Sequence, residues 1–475
     1  MPEPWAHTEL HGAIVWDPRC RRSLRRICEQ LAQRPGVAFS TACGSAVRQA
    51  AHRIFEHAST TVAGLLHGHY GQTATRCQAA LRPGAGEAEP ALLLVAQDTT
   101  ELDYSTHPAT VGLGQVGRGA HHRGLFAHSA LAMTATGLPL GLLHLEIWAR
   151  DPAALGKREQ RMQRATEAKE SQKWLTGLAA IEAALPPEQP VLVIQDREAD
   201  LYDLLAAPRR ERTHLLIRAC QPRVVAGATG QPGTVRSQTL FAAVAAAPVR
   251  GTLTVIVPRQ PGQPEREAVL TLRSRAVPVP PPSYRPAPER RDPARTVTVW
   301  AIEARETDPP AGSAAIYWVL LATQPVEDGE QAGQWVRYYT RRWRIERLHF
   351  VLKSGLRVER LQIDDATSLQ HALALCYVVA WRLLWLTESA REAPDAPAAS
   401  LLEASEQAVL VASEGQPIRT RQQAVRAIAR LGGFPGGRAG VEPGVKSLWL
   451  GLARLEAMTL GWKLAQHAKL TTIQD

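Results

Sequence analysis

Apolar and polar positions along this chain follow two periods, and the changes between them mark its parts. Near the start, Asp17-Pro18 writes a helix opening, with a side-chain acceptor before a proline at the first helical position. Leu24, Ile27, Cys28 and Leu31 then recur at helical spacing, while Arg19, Arg21, Arg22, Arg25 and Arg26 crowd the first turns. This predicts a helical domain over residues 1–75 with one strongly basic side. From about residue 80 the texture changes. The run Ala91-Leu92-Leu93-Leu94-Val95-Ala96 predicts a short buried strand, with Gln97-Asp98-Thr99-Thr100 at its end. Two more apolar runs between Ala127 and Trp148 are broken at Gly137-Leu138-Pro139 and predict a hairpin. A helical stretch covers Lys169 to Leu185. Then Pro190-Val191-Leu192-Val193-Ile194-Gln195 repeats the first strand pattern and ends in Asp196-Arg197-Glu198-Ala199-Asp200. Strands with helices between them predict an α/β domain over 76–215.

Between 216 and 321 the alternation becomes strand-like, in Thr252–Val257, Val269–Leu272 and Thr296–Trp300, interrupted by an exposed Pro-rich loop from Pro278 to Pro293. This predicts a β-rich insertion. Helical periodicity returns at Gln334 and continues to about Leu356, within a segment 322–368 that rejoins the α/β domain. A helical C-terminal domain follows over 369–475, with an apolar helix from Ala372 to Leu386 and a last one near Leu448 to Leu464.

Composition narrows the class. With 475 residues, 45% of them hydrophobic and 21% charged, the chain has ample material for buried cores. No stretch approaches 18 uninterrupted apolar residues, and Met1-Pro2-Glu3-Pro4 lacks the features of a secretory leader, which argues against membrane spans and secretion. The six cysteines are scattered without a Cys-x-x-Cys pair, so a reducing cytoplasm fits best. Net charge is +10. Such a balance suits a polyanionic partner, and nucleic acid is the first suspect. Since 48 of the 55 basic residues are Arg, a high-GC coding sequence explains part of it.

Two aspartates, 98 residues apart and each closing an apolar run, can meet because neighbouring strand ends lie side by side. Such a pair repels unless it shares a cation, and hard oxygen ligands suit Mg²⁺; without other context Asp98 reads as a turn residue and Asp196 as a helix cap. On a continuous helix at about 100° per residue, Tyr339, Arg342, Glu346 and Lys353 share roughly 60° of arc. That face presents a carboxylate flanked by two cations and a phenol, which suits a phosphodiester site and equally a solvated helix with Arg–Glu pairs. Lys353 is also the only lysine between Lys173 and Lys446.

Tyr, two residues, Arg, three residues, Glu, six residues, Lys resembles the signature of bacterial DDE-type cut-and-paste insertion-sequence transposases, such as that of composite transposon five. Asp98 in Asp-Thr-Thr and Asp196 in Asp-Arg-Glu-Ala-Asp resemble the family's first two acidic residues, and Glu346 its third. Gly141-Leu142-Leu143-His144, Glu170-Ser171-Gln172-Lys173-Trp174 and Ile428-Ala429-Arg430-Leu431-Gly432-Gly433-Phe434 extend the likeness over the chain. The resemblance implies an α/β fold with an RNase H-like catalytic core, a β-rich insertion before the final Glu, and flanking helical domains. It implies catalytic, metal-holding Asp98, Asp196 and Glu346, two Mg²⁺ ions for which Mn²⁺ substitutes, and a homodimer on double-stranded transposon-end and target DNA. The chemistry implied is nicking, hairpin formation and opening, then strand transfer. Trp318, 21 residues before Tyr339, and Trp343 resemble the aromatics that hold a displaced base, and Arg218 matches a position that contacts the transposon end. Arg22 and Arg26 are further DNA-contact candidates on the N-terminal helix. The bacterial cytoplasm, at the nucleoid, is the implied location.

Other readings of the residues remain. A DNA-binding regulator or domesticated remnant would keep the basic helix without catalysis, and a metal-dependent nuclease would lack rejoining. The pair His121-His122 has no second cluster at ligand spacing and reads as a solvated loop. With Met only at 1, 133, 162 and 458, an AUG start could not remove the first domain alone.

Overall fold

The computed structural model describes residues 5–33, 43–80, 91–151 apart from 118 and 120, 169–225, 238–257, 265–436 apart from 284 and 286, and 442–472. The chain divides into two compact units, the first gathering residues 1–80, 99–155 and 344–475, the second 81–98 and 156–343.

The first unit opens with helices Trp5–Leu10, Arg19–Gln33, Ser45–Phe55 and Val62–Ala80. Asp17 accepts the Arg19 backbone N–H at 2.9 Å, the predicted cap, and starts the second of these helices. Its stripe of Leu24, Ile27 and Cys28 is fully buried, while Arg19, Arg21, Arg22 and Arg26 stay exposed. The later part of strand β1 (Leu93–Asp103), short β2 (Gly114–Gln115), β3 (Arg123–Met133) and β4 (Pro139–Trp148) follow, with β3 and β4 forming the expected antiparallel hairpin. Past residue 344 come helices Ala366–Glu392, Ala404–Glu414, Arg421–Leu431 and Val445–Thr472. The first of these holds an apolar window long enough by composition to cross a membrane, and that window is 83% buried in the structure. Leu386, Leu410, Ile428 and Leu455, one from each helix, meet in a single core cluster. Close approach is required where a Cβ on Gly451 would lie 1.7 Å from the Ile428 carbonyl oxygen.

A buried polar knot holds the pieces of this unit together. His69 Nδ1 donates to Glu9 at 2.6 Å, and Arg76 donates to the other Glu9 oxygen at 2.6 Å. The Leu142 N–H donates to His69 Nε2 at 3.1 Å, so the proton sits on Nδ1. The Arg76 guanidinium lies 4.3 Å from the centre of the Trp381 ring, and Trp381 donates to the Pro139 carbonyl at 3.3 Å. Burial pushes the Glu9 carboxyl up, but His69 and Arg76 outweigh it and leave it at about 2.

The second unit is built on a mixed sheet. Its order is β1, β5 (Val191–Gln195), β6 (Thr213–Arg218), β12 (Tyr317–Ala322), β11 (Val297–Glu306), β10 (Arg266–Val279) and β9 (Val249–Val257). β1, β5 and β6 run parallel, and from β6 to β9 every pair is antiparallel. The parallel strands read as unbroken apolar runs because both faces are covered. β7 (Val224–Val225) and β8 (Gln238–Thr239) form a separate ribbon. The Pro-rich stretch starts later than expected, since Pro278 is still in the ladder opposite Thr298. Helix Gln172–Ala184 precedes β5, and helix Gly329–Thr340, capped by Asp328, packs on β9 and β10.

Two local expectations need correction. Asp98 does not end its strand, because β1 continues to Asp103. Nor is 334–356 one helix. Helix Gly329–Thr340 stops where the Arg341 and Arg342 N–H groups bond back only three residues, to Tyr338 and Tyr339. A new helix, Trp343–Phe350, begins there and runs into a wide turn over Val351–Gly355, closed by the Leu356 N–H on the Val351 carbonyl. A single helical wheel over residues 339–353 is therefore the wrong projection.

Candidate active site

Asp98 lies in β1, and Asp196 directly follows β5, the parallel neighbour of β1. The ladder pairs Ala96 with Ile194, and each aspartate follows two residues on from its member of that pair. One residue before them, Gln195 donates to Gln97 at 2.7 Å with both side chains fully buried. Asp196 follows the end of β5 and caps the short turn Arg197–Ala199, accepting the Glu198 N–H at 2.9 Å. Burial pushes its carboxyl up, and the charges of Arg342 and Lys173 pull the other way. Asp98 and Asp196 offer the hard oxygen donors that could hold a divalent cation here. Among the described residues of the second unit, no third acidic, His or Cys side chain completes a ligand cluster with this pair.

The predicted cations and rings of the second unit gather around the aspartates. Arg342 reaches within 3.7 Å of Asp98 Oδ2, with only 11% of its side chain exposed. Its guanidinium lies 5.8 Å from the centre of the buried Tyr339 ring. Burial pushes the Tyr339 phenol up, while Arg342 and Arg218 pull it down. Arg218, at the end of β6, donates to the Tyr317 carbonyl at 3.2 Å. Trp318 in β12 is half-buried and meets Tyr339 edge-on, with ring centres 5.6 Å apart. The second unit thus brings together Asp98, Asp196, Arg342, Tyr339, Arg218 and Trp318. Trp343 is 53% exposed at the start of its helix.

The remaining candidates lie in the first unit. Glu346 is half-buried in the first turn of helix Trp343–Phe350, where the helix dipole favours a carboxylate. Lys353 is half-buried in the wide turn. Arg22 and Arg26 are exposed on helix Arg19–Gln33. His121 and His122 are exposed, and His122 bonds Asp103 at 3.0 Å.

Three features escaped the sequence reading. Lys173, only 11% exposed, pairs with Glu198 at 3.1 Å and acts electrostatically on Asp196. Asp200 is structural: it accepts the Cys220 and Gln221 N–H groups at 2.7 and 2.8 Å and pairs with Arg223. The Gln97–Gln195 bond had one visible signal, the repeated Gln-Asp at the end of both apolar runs.

Comparison with known proteins gives these features a setting. Residues 2–60 match the family model "Transposase DNA-binding", and residues 378–471 match "Transposase Tn5 dimerisation domain". The protein is a DNA transposase, with a DNA-binding module at one end and a dimerisation module at the other. Both matched segments are similar to modules of Tn5-like transposases, and by these modules the protein binds DNA and dimerises. The last helix leaves Leu450, Met458, Leu460, Trp462 and Leu464 exposed within the matched dimerisation region. Over 86% of its length the chain also aligns with 70% of a piggyBac transposase solved as a synaptic complex with hairpin DNA, at 9% identity and a TM-score of 0.36. That likeness is too distant to bear on the site.

Proposed function

We propose that this transposase performs cut-and-paste transposition with Asp98, Asp196 and Glu346 as its acidic triad, in a core of RNase H-like type. The observation that carries the reading is the parallel pairing of β1 with β5, whose last pair, Ala96 and Ile194, lies two residues before Asp98 and Asp196, with Arg342 against Asp98. Two Mg²⁺ ions held by the three carboxylates, with Mn²⁺ as a substitute, would supply Lewis-acid activation of the attacking and leaving oxygens. Arg342 and Lys353 hold backbone phosphates on either side of the scissile bond. A nick at the transposon end frees a 3′-hydroxyl, which attacks the opposite strand to form a hairpin. Water reopens the hairpin, and the freed end attacks target DNA. Each step is an in-line displacement at phosphorus, so one set of side chains serves all of them. A tight hairpin moves a base out of the stack at a cost of a few kcal/mol, and stacking on Trp318 or Trp343 returns about 1–3 kcal/mol. Arg218 contacts the transposon end, and Arg22 and Arg26 contact phosphates from the N-terminal domain. The enzyme works as a dimer on the terminal repeats, in the bacterial cytoplasm.

The test is incubation of the purified protein with Mg²⁺ and a linear DNA carrying the inverted repeats that flank its gene, beside Asp196→Ala, on a denaturing gel. Hairpinned ends that vanish in the variant support the proposal. Retarded but uncut DNA points to a binding remnant, and cutting without hairpins to a nuclease.

A further inference from the structure

Gln97 and Gln195 occupy places where an apolar residue would make the better core. Each closes a buried run, Leu93 to Ala96 in β1 and Val191 to Ile194 in β5, and each is wholly shielded from water. They share one hydrogen bond, Gln195 Nε2 to Gln97 Oε1. The other amide groups, Gln97 Nε2 and Gln195 Oε1, have no partner among the described residues. Buried, half-satisfied amides are unfavourable relative to leucine. What the pair adds is directionality.

Two parallel strands of aliphatic residues have a weakly specified level. A slip of one residue is forbidden because every side chain changes face, but a slip of two keeps the faces and exchanges one small aliphatic neighbour for another. Leu93, Leu94, Val95 and Ala96 against Val191, Leu192, Val193 and Ile194 offer little to distinguish these levels. The amides do distinguish them, because they reach each other only when residue 97 stands beside residue 195. Continued one residue beyond the amides, that level would bring Asp98 beside Asp196, on the opposite face.

We infer that the Gln97–Gln195 pair is a register pin that positions the two aspartates while touching neither DNA nor metal. This rests on the proposal that Asp98 and Asp196 hold the divalent ions. The use of a buried polar contact to specify register over stability has precedent in other folds.

The experiment compares full-length wild type, Gln97→Leu, Gln195→Leu, the double Leu variant and Asp196→Ala. It records the thermal midpoint and the affinity for Mn²⁺ alone by electron paramagnetic resonance. The single variants leave one amide unpaired and should melt lower. The double variant removes both partners and should melt at or above the wild-type midpoint. Its Mn²⁺ dissociation constant should nevertheless rise about tenfold or more, the size typical of a disturbed outer shell. Wild-type Mn²⁺ affinity in the double variant, while Asp196→Ala loses it, would overturn the pin and leave the metal site standing. A double variant that melts like the singles would reduce the pair to a structural role. Unchanged Mn²⁺ binding in Asp196→Ala would overturn the metal site, and the pin with it.

Discussion

Arg342 Nη1 lies 3.7 Å from Asp98 Oδ2, and both side chains are largely buried. The same guanidinium faces Tyr339, so one cation serves a carboxylate and a phenol. Arg342→Ala should slow single-turnover nicking by roughly 10²-fold, the scale of one lost electrostatic contact at a reacting phosphate. Arg342→Lys should recover little of this, because an ammonium lacks the planar fork. Full recovery by Lys would show that charge alone matters there.

Removing a carboxylate of the proposed triad should separate binding from chemistry. Glu346→Ala is expected to shift transposon-end DNA in a gel as wild type does and to give no nicked product. Loss of both together would mark Glu346 as structural.

Trp318 touches Tyr339 edge-on and remains half-buried, so its ring is not consumed by the core. For Trp318→Ala, first-strand nicking should survive while hairpin yield falls at least tenfold, the equivalent of about 1.4 kcal/mol of lost stacking. Equal loss of the two products on one gel would return Trp318 to a packing role.

The Glu9, His69 and Arg76 knot predicts a stability effect far from the chemistry. Glu9→Ala leaves the Arg76 charge and the His69 donor without their acceptor. A loss of about 3–5 kcal/mol is expected from urea unfolding, the range for breaking one side of a buried pair.

Glu456 supplies the pH test. Burial, together with Glu29, Glu406 and Glu403 facing it, pushes its carboxyl up to about 8, and Lys463 opposes this. The folded value lies above the unfolded one of about 4.5. Its contribution is therefore complete below pH 4.5 and is lost as pH rises through 8. Glu456→Gln should match wild type near pH 4.5 and exceed it by about 4 kcal/mol near pH 8. Melting curves at the two pH values decide it, and parallel curves would refute the assignment.

Much of the architecture was legible in the sequence because it is local. The Asp17 cap, the buried stripe of Leu24, Ile27 and Cys28, the hairpin about Gly137 and the C-terminal helices each follow from a periodicity or a cap within a few residues. The acidic residues and the Tyr-Arg-Glu-Lys spacing could be named from the chain alone. Their arrangement could not. Periodicity reports which face of an element is buried, but not which strand lies beside it or at what level. Only tertiary structure placed Asp98 inside a strand, paired that strand with the one that ends before Asp196, and bonded Gln97 to Gln195 across 98 residues of chain. Only it broke the helix at Arg341 and Arg342 and turned Arg342 onto Asp98, because a wheel drawn on the sequence assumes that the backbone repeat continues unbroken.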